Sequence, residues 1–324
     1  MKKALAILMA SAMALSLVAC GGSSSSAPAA SSAAAASSAA STAASGDTYK
    51  VYLITMDQMD QHWVNMDKGC QQAASELGNV DYKWTAPDVK DDAKQIECIN
   101  NAVADGADAI LLAANGPDAD VAALKEAQAA GVKIVYVDSP ANLPAIKTIA
   151  TNNEAAGKTA GEQLLKALTD KGVTSGKIGI INTNAATTST VDRENGFRAA
   201  FEGSKFELLE TQYSEGDAAK SKDIATNYIA QGCVGIFGTN EGTTVGTGNA
   251  IKEDGGDVIG VGFDKSDTIL GLIKDGTLLC AMAQNPDKMG YEGIKAAVAA
   301  LDGSDAGDGS TVDTGVTVLT KDNI

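Results

Sequence analysis

Aromatic side chains are scarce in this chain: five Phe, seven Tyr and two Trp stand among 324 residues. Histidine occurs once, at position 62. A Ser-His-Asp system therefore has a single candidate base, near the amino end, and little to build on. Of the five cysteines, none stands in a Cys-x-x-Cys pair or another zinc spacing. Cys70, Cys98, Cys233 and Cys280 fall in helix or strand patterns and read as small buried hydrophobes. Basic residues are outnumbered, 25 Lys and Arg against 41 Asp and Glu, for a formal charge of −16. They are scattered and form no stripe, which argues against nucleic acid or an anionic membrane surface as the main partner. The apolar run from Ala4 to Val18 is too short for a comfortable membrane span.

That run follows Met1-Lys2-Lys3 and ends Leu17-Val18-Ala19-Cys20-Gly21. A positive start, a short apolar core and small residues before a cleavage point make residues 1–19 a signal peptide. The junction resembles the lipobox of bacterial lipoproteins, which implies a lipid on Cys20. The alternative is an ordinary signal with an incidental cysteine. Residues 20–47 are almost entirely Ser, Ala and Gly, a composition that buries too little apolar surface to order itself and reads as a tether. The chain is thus expected outside the cytoplasm, anchored to the cell membrane rather than spanning it.

From Tyr49 to about Leu301 strand and helix patterns alternate. Six apolar runs each end on one polar side chain. They are Ala109–Ala114 before Asn115, Lys133–Val137 before Asp138, Lys177–Thr183 before Asn184, Val234–Thr239 before Asn240, Val258–Phe263 before Asp264 and Leu278–Ala283 before Gln284. Near-continuous runs of this length fit parallel strands buried on both faces. Helical spacing fills the intervals, as in His62–Leu77 before Gly78 and Asp118–Ala130 before Gly131. Ligands of open α/β sheets bind beyond the carboxyl ends of the strands, where these amides and carboxylates stand. More than ten strands would make one sheet unusually wide, so two lobes are expected. Crossovers are placed around Pro144–Asn153, with Asn153 as a helix N-cap, after Gln284-Asn285-Pro286, and in Asp302–Gly315. The first two helices of a doubly wound sheet cover opposite faces, so a Cys70–Cys98 bridge is not expected.

Several short motifs in order resemble the ribose/galactose-binding group of periplasmic-type sugar-binding proteins. They are Val137-Asp138, Ala150-Thr-Asn-Asn153, Arg193-x-x-Gly196-Phe197, Phe237-Gly-Thr-Asn240-Glu241, Val261-Gly-Phe-Asp264 and Ala283-Gln284-Asn-Pro286. The likeness covers nearly all of Tyr49–Thr320. It implies the periplasmic binding protein type I architecture, an α/β fold of two doubly wound, Rossmann-like parallel-sheet lobes joined by a three-segment hinge. The lobes are assigned as residues 48–151 plus 286–310 and 152–285 plus 311–324. The implied function is capture of a monosaccharide or similar polyol by a monomer and delivery to an ABC permease.

A sugar offers paired hydroxyls and a flat C–H face, which carboxylates, amides, Arg and aromatic rings recognise. The resemblance assigns ligand contacts to Asp138 and Asp264, to the amides of Asn240 and Gln284, and to Arg193 as a clamp. Aligned without gaps, Asp60, His62 and Trp63 join them from the loop before the first helix. Read from the residues alone, structural alternatives stand beside these: a cap or turn for Asp138, Asp264, Asn240 and Gln284, a surface salt bridge for Arg193, core packing for Trp63 and a structural role for the lone His62. Trp84 reads as core, and Asn115 and Asn184 as turn caps.

Two departures from the family pattern stand out. Ser139 occupies a place where the family often has Arg, and no aromatic wall stands near Gly216-Asp217. Both are expected to enlarge or re-polarise the pocket. Other motifs fail. Gly157-Lys158-Thr159 reads as helix rather than a phosphate loop, the Gly-x-Gly pairs at 246 and 260 lack a third glycine, and Asp302–Asp308 lacks the closing Glu of a calcium loop. No metal or cofactor is expected. Glycoside chemistry by Asp138 and Asp264 is the competing enzyme reading. A gene regulator of the same fold would need an amino-terminal DNA-binding segment in place of the lipid signal.

Overall fold

The computed structural model describes residues 48–324. The expected signal peptide, Cys20 and the tether through residue 47 lie outside the described residues. Lobe one begins β1 (Tyr49–Ile54), α1 (Gln61–Leu77), β2 (Val80–Thr85), α2 (Asp92–Ala104), β3 (Ala109–Leu112), α3 (Val121–Ala129), β4 (Lys133–Val137) and β5 (Thr148–Ala150). Lobe two follows with α4 (Asn153–Asp170), β6 (Gly176–Asn182), α5 (Thr188–Ala200), β7 (Phe206–Leu208), β8 (Gln212–Tyr213) and α6 (Ala218–Ala230). It continues through β9 (Cys233–Gly238), α7 (Glu241–Asp254), β10 (Ile259–Phe263), α8 (Asp267–Lys274) and β11 (Leu278–Ala283). The chain returns to lobe one for α9 (Pro286–Leu301) and β12 (Thr311–Asp313), then adds β13 (Thr317–Leu319) to lobe two.

Each apolar run became a strand buried on both faces. In β1, Val51 and Leu53 pack with α1 and α9, while Tyr52 and Ile54 face α2 and α3. Alternate residues point to opposite faces, so a strand covered on both sides must be apolar throughout. Lobe two repeats the arrangement, with α4 and α5 on one face and α6, α7 and α8 on the other. The sheets run β12-β5-β4-β3-β1-β2 and β13-β11-β10-β9-β6-β7, all parallel except β13. This is the expected pair of doubly wound lobes. α1 and α2 lie on opposite faces, and Cys70, Cys98, Cys233 and Cys280 are all free thiols.

The lobes join through three segments at residues 151–152, 284–285 and 314–316, and hydrogen bonds tie these together. Asn285 Nδ2 donates to the carbonyls of Thr314 at 2.9 Å and Gly315 at 3.1 Å. The Thr314 amide donates to Ala150 O at 2.8 Å. One boundary shifts from its expected place: Thr311–Asp313 pairs in parallel with β5, so the third crossing follows Asp313 and not residue 310. The first helix of lobe two is also capped differently. Asn152 accepts from the Ala155 amide, while Asn153 lies within α4 and serves the site described below. Gly157 is a helix-packing residue, because a Cβ there would collide with the Arg193 backbone of α5.

Candidate functional site

The carboxyl ends of the strands of both lobes face each other across a narrow, nearly filled cavity. Asp60, His62, Trp63, Asp138, Arg193, Asn240, Asp264 and Gln284 all line it.

Asp138 follows β4 and Asp264 follows β10, the equivalent strands of the two sheets. Both hold left-handed backbone conformations, φ 61° and 76°. For a residue with a Cβ this costs on the order of 1 kcal/mol, and such strain persists where surrounding structure imposes it. Here the turn sends each carboxylate back into the cavity. Neither is spent as a helix cap; Ser266 caps α8 beside Asp264. His62 sits between them, Nε2 at 3.2 Å from Asp138 and Nδ1 at 3.6 Å from Asp264. No aligned hydrogen bond joins Nε2 to Asp138; the attraction is ionic when the imidazole is protonated. Burial works against the imidazolium, yet Asp138 and Asp264 raise its pKa above the usual value. Burial likewise pushes Asp138 up, and His62 and Arg193 hold it below the usual carboxylate range.

Arg193 is no surface ion pair: it is 2 % exposed. Its Nε donates to Asn153 Oδ1 at 2.8 Å and Nη1 to Thr239 O at 2.9 Å. The guanidinium lies 4.4 Å from the Phe263 ring centre, and Nη2 stands 3.7 Å from Asp138 with no hydrogen-bond partner. Phe263 is packed edge-on against Phe237, which stacks on Phe197. The scarce phenylalanines thus support the arginine. Gln284 Nε2 donates to Asp264 at 2.6 Å, and its Oε1 accepts from Thr151 at 2.9 Å. Asn240 is also the N-cap of α7, closing a reciprocal capping box with Thr243. That occupies its Oδ1 and leaves Nδ2 toward the cavity. Trp63 unites its two readings: it packs in the lobe-one core and lines the cavity, with Nε1 unpaired. Trp84 packs against the core and donates to Thr55 at 2.9 Å. Asn184 caps a turn, accepting from Ala186 and Thr187; the Asn115 side chain donates to Asp92.

Lys90, Thr183, Ser189 and Thr190, which the sequence does not single out, also line the cavity, and Glu241 bonds the amide of its lining residue His62. Ser189 and Thr190 stand four and three residues before Arg193, on the same helix face, a signal that was available. Lys90 carried no such signal; it follows β2 in an otherwise unremarkable loop. Its ammonium is buried between Asp57 and Asp60, 3.1 Å from the latter. Burial disfavours its charge, but the two carboxylates outweigh that and raise its pKa. Burial also raises Asp60, with Asp57 adding and Lys90 opposing. Glu241 reaches from lobe two to accept the His62 amide of α1 at 3.2 Å. Burial, with Asp60 and Asp264 nearby, pushes its carboxyl up to about 7.

The lobes are closed. Thr187 donates to Asn115 O at 2.7 Å, and the Ser189 amide to Ser139 Oγ at 3.3 Å. Ser139 thus serves closure where a longer side chain was the family expectation. The expected enlargement at Gly216 does not occur, because Lys90 reaches across from lobe one into that space.

A family model described as periplasmic binding protein domain matches residues 51–305. The ribose import binding protein of Haemophilus influenzae is 30 % identical over 265 residues, covering 81 % of this chain and 88 % of that protein. The D-allose-binding periplasmic protein of Escherichia coli is 27 % identical, covering 76 % and 82 %. A solute-binding protein of an ABC transporter from Agrobacterium vitis, solved with D-fucose, superposes with a TM-score of 0.80 at 31 % identity, covering 85 % of this chain and 96 % of that one. A carbohydrate transporter solute-binding protein from Agrobacterium radiobacter, solved in complex with D-arabinose, gives a TM-score of 0.80 at 28 % identity, covering 86 % of this chain and 96 % of that one.

Proposed function

Because the chain belongs to the periplasmic binding protein domain family, we propose that it captures a monosaccharide, or a similar small polyol, between its lobes and delivers it to an ABC importer. One observation carries this reading. His62 Nε2, Trp63 Nε1, Thr183 Oγ1 and Arg193 Nη2 are buried, lack hydrogen-bond partners and line the same cavity as Asp60, Asp138 and Asp264. An unpaired buried donor is costly, so the site favours a ligand that brings oxygen acceptors. The carboxylates need hydroxyl donors. A polyhydroxylated ring supplies both in pairs. The matching family and relatives are binding proteins, so Asp138 and Asp264 are assigned to recognition and not to glycoside chemistry.

The ligand docks on one open lobe, and rotation about the three linking segments brings the other down on it. Removal of residues 1–19 and lipidation of Cys20 would hold this monomer on the outer face of the membrane. Radiolabelled palmitate should then enter the chain in cells, and Cys20→Ala should abolish the label; unchanged labelling would rule out that anchor. For the site, titration calorimetry of residues 48–324 against D-ribose, D-allose, D-fucose and D-arabinose should find saturable binding to at least one. Asp264→Ala should weaken it. Binding to none of them, or an unaltered affinity in Asp264→Ala, would sink the assignment.

A further inference from the structure

The space beside Gly216 is filled from the opposite lobe. Gly216 has φ +71°, and a Cβ placed on it would stand 3.2 Å from Lys90 Nζ, 3.3 Å from Lys90 Cε and 3.0 Å from Asn240 Nδ2. At Gly216 itself lobe two contributes bare backbone, with the Asn240 amide beside it, and the lysine of lobe one closes the rest of the wall. The Lys90 side chain is 7 % exposed and its ammonium lies against Asp57 and Asp60. An ammonium has three donors. Two are engaged by these carboxylates, and the cavity lies against the same group.

We propose that Lys90 is a specificity-determining residue of the sugar site: its stem closes the Gly216 end, and its third donor selects an oxygen on the ligand ring at that end. The inference rests on the sugar-binding reading and adds to it the chemistry of one ligand position. A charged donor fixed by two carboxylates donates to a hydroxyl or ring oxygen there. A deoxy position leaves that donor unpaired. Discrimination of this type exceeds what an apolar wall achieves, because the penalty falls on the site's own polar group.

The test is calorimetry on the full chain and on Lys90→Met, which keeps the stem and removes the donor. Each is titrated with the tightest-binding of the four sugars named above and with its complete set of monodeoxy analogues. The unaltered protein should reject one analogue through Lys90 by about tenfold to a hundredfold, the worth of a charge-assisted hydrogen bond. In Lys90→Met that one discrimination should collapse to within about threefold, while discrimination at the other ring positions stays. Lys90→Gln, a shorter neutral donor, should fall between the two, and it carries the test if Lys90→Met does not fold. A parallel loss of affinity for every analogue would mean a structural role only and would overturn the proposal, leaving the sugar reading intact. No binding of any sugar by the unaltered chain would overturn both.

Discussion

Lobe one and lobe two run their strands in the same order, β2-β1-β3-β4-β5 against β7-β6-β9-β10-β11, yet they furnish the cavity differently. Both Trp lie in lobe one and all five Phe in lobe two. In lobe one, the first strand and helix bring Asp60, His62 and Trp63, and the loop after β2 brings Lys90. In lobe two the second helix, α5, brings Arg193, held from three sides by Asn153, Thr239 and Phe263. Only the fourth strand of each sheet behaves identically, ending on an aspartate at positive φ. One backbone plan can therefore carry two unlike sets of polar groups. The common element is the strained turn; the side chains divide the work, with a pre-paired arginine on one side and a histidine between two carboxylates on the other.

The largest expected effect breaks the more rigid side. Arg193→Ala should weaken sugar binding by roughly a hundredfold or more, since removing one partner of a buried charge pair costs about 3–5 kcal/mol. Calorimetry reads it. A loss below tenfold would show that the clamp is not where recognition resides. Next comes the shared turn. Asp138→Ala and Asp264→Ala each remove a carboxylate and put a methyl in a left-handed turn. Glycine at either position should melt higher than alanine by about 1 kcal/mol of stability, at equal loss of binding. Equal stability of the two variants would remove strain from the comparison.

The smallest expected effect concerns how the lobes meet. Glu241 of lobe two caps α1 of lobe one, a helix whose own N-cap, Asp60, makes no side-chain cap. Its carboxyl sits at about 7 in the closed form against an ordinary 4.5. A raised value means closure takes up a proton. That contribution is full below the ordinary value and is lost as pH rises through about 7. Affinity should then fall severalfold between about pH 6 and pH 8, by at most tenfold per pH unit. Glu241→Gln should flatten that slope. His62 and Asp60, also raised, leave the remainder. An unchanged pH profile in Glu241→Gln would exclude the cap as a closure contact that titrates.

How much of the site was legible follows from what a side chain needs in order to be noticed. Asp138, Asp264 and Gln284 each end an apolar run, and a run of that kind has one exit, at the ligand edge of a sheet. Asn240 was noticed for the same reason; whether it caps or binds was a false choice, since its oxygen caps α7 and its nitrogen remains free. The cap expected at Asn153 is supplied by Asn152, and Asn153 orients Arg193. One residue's shift in a helix start decides between those roles, and cap preferences of Asn152 and Asn153 do not differ. Lys90 and Glu241 were illegible because each acts through groups distant in the chain: Lys90 through Asp57, Asp60 and the space beside Gly216, Glu241 through the His62 amide.

The sequence by itself determined the strand and helix alternation, the two-lobe architecture and which polar residues stand at the strand ends. These follow from hydrophobic periodicity and from the buried, parallel nature of the strands, which are local properties of the chain. Only the tertiary structure decided that Asp138 and Asp264 turn through positive φ toward one histidine. It likewise decided that β12 stays with lobe one and that a lysine from one lobe fills the space beside a glycine of the other. Those outcomes depend on distances between segments far apart in the chain, set by how two packed lobes close, and no local pattern encodes them.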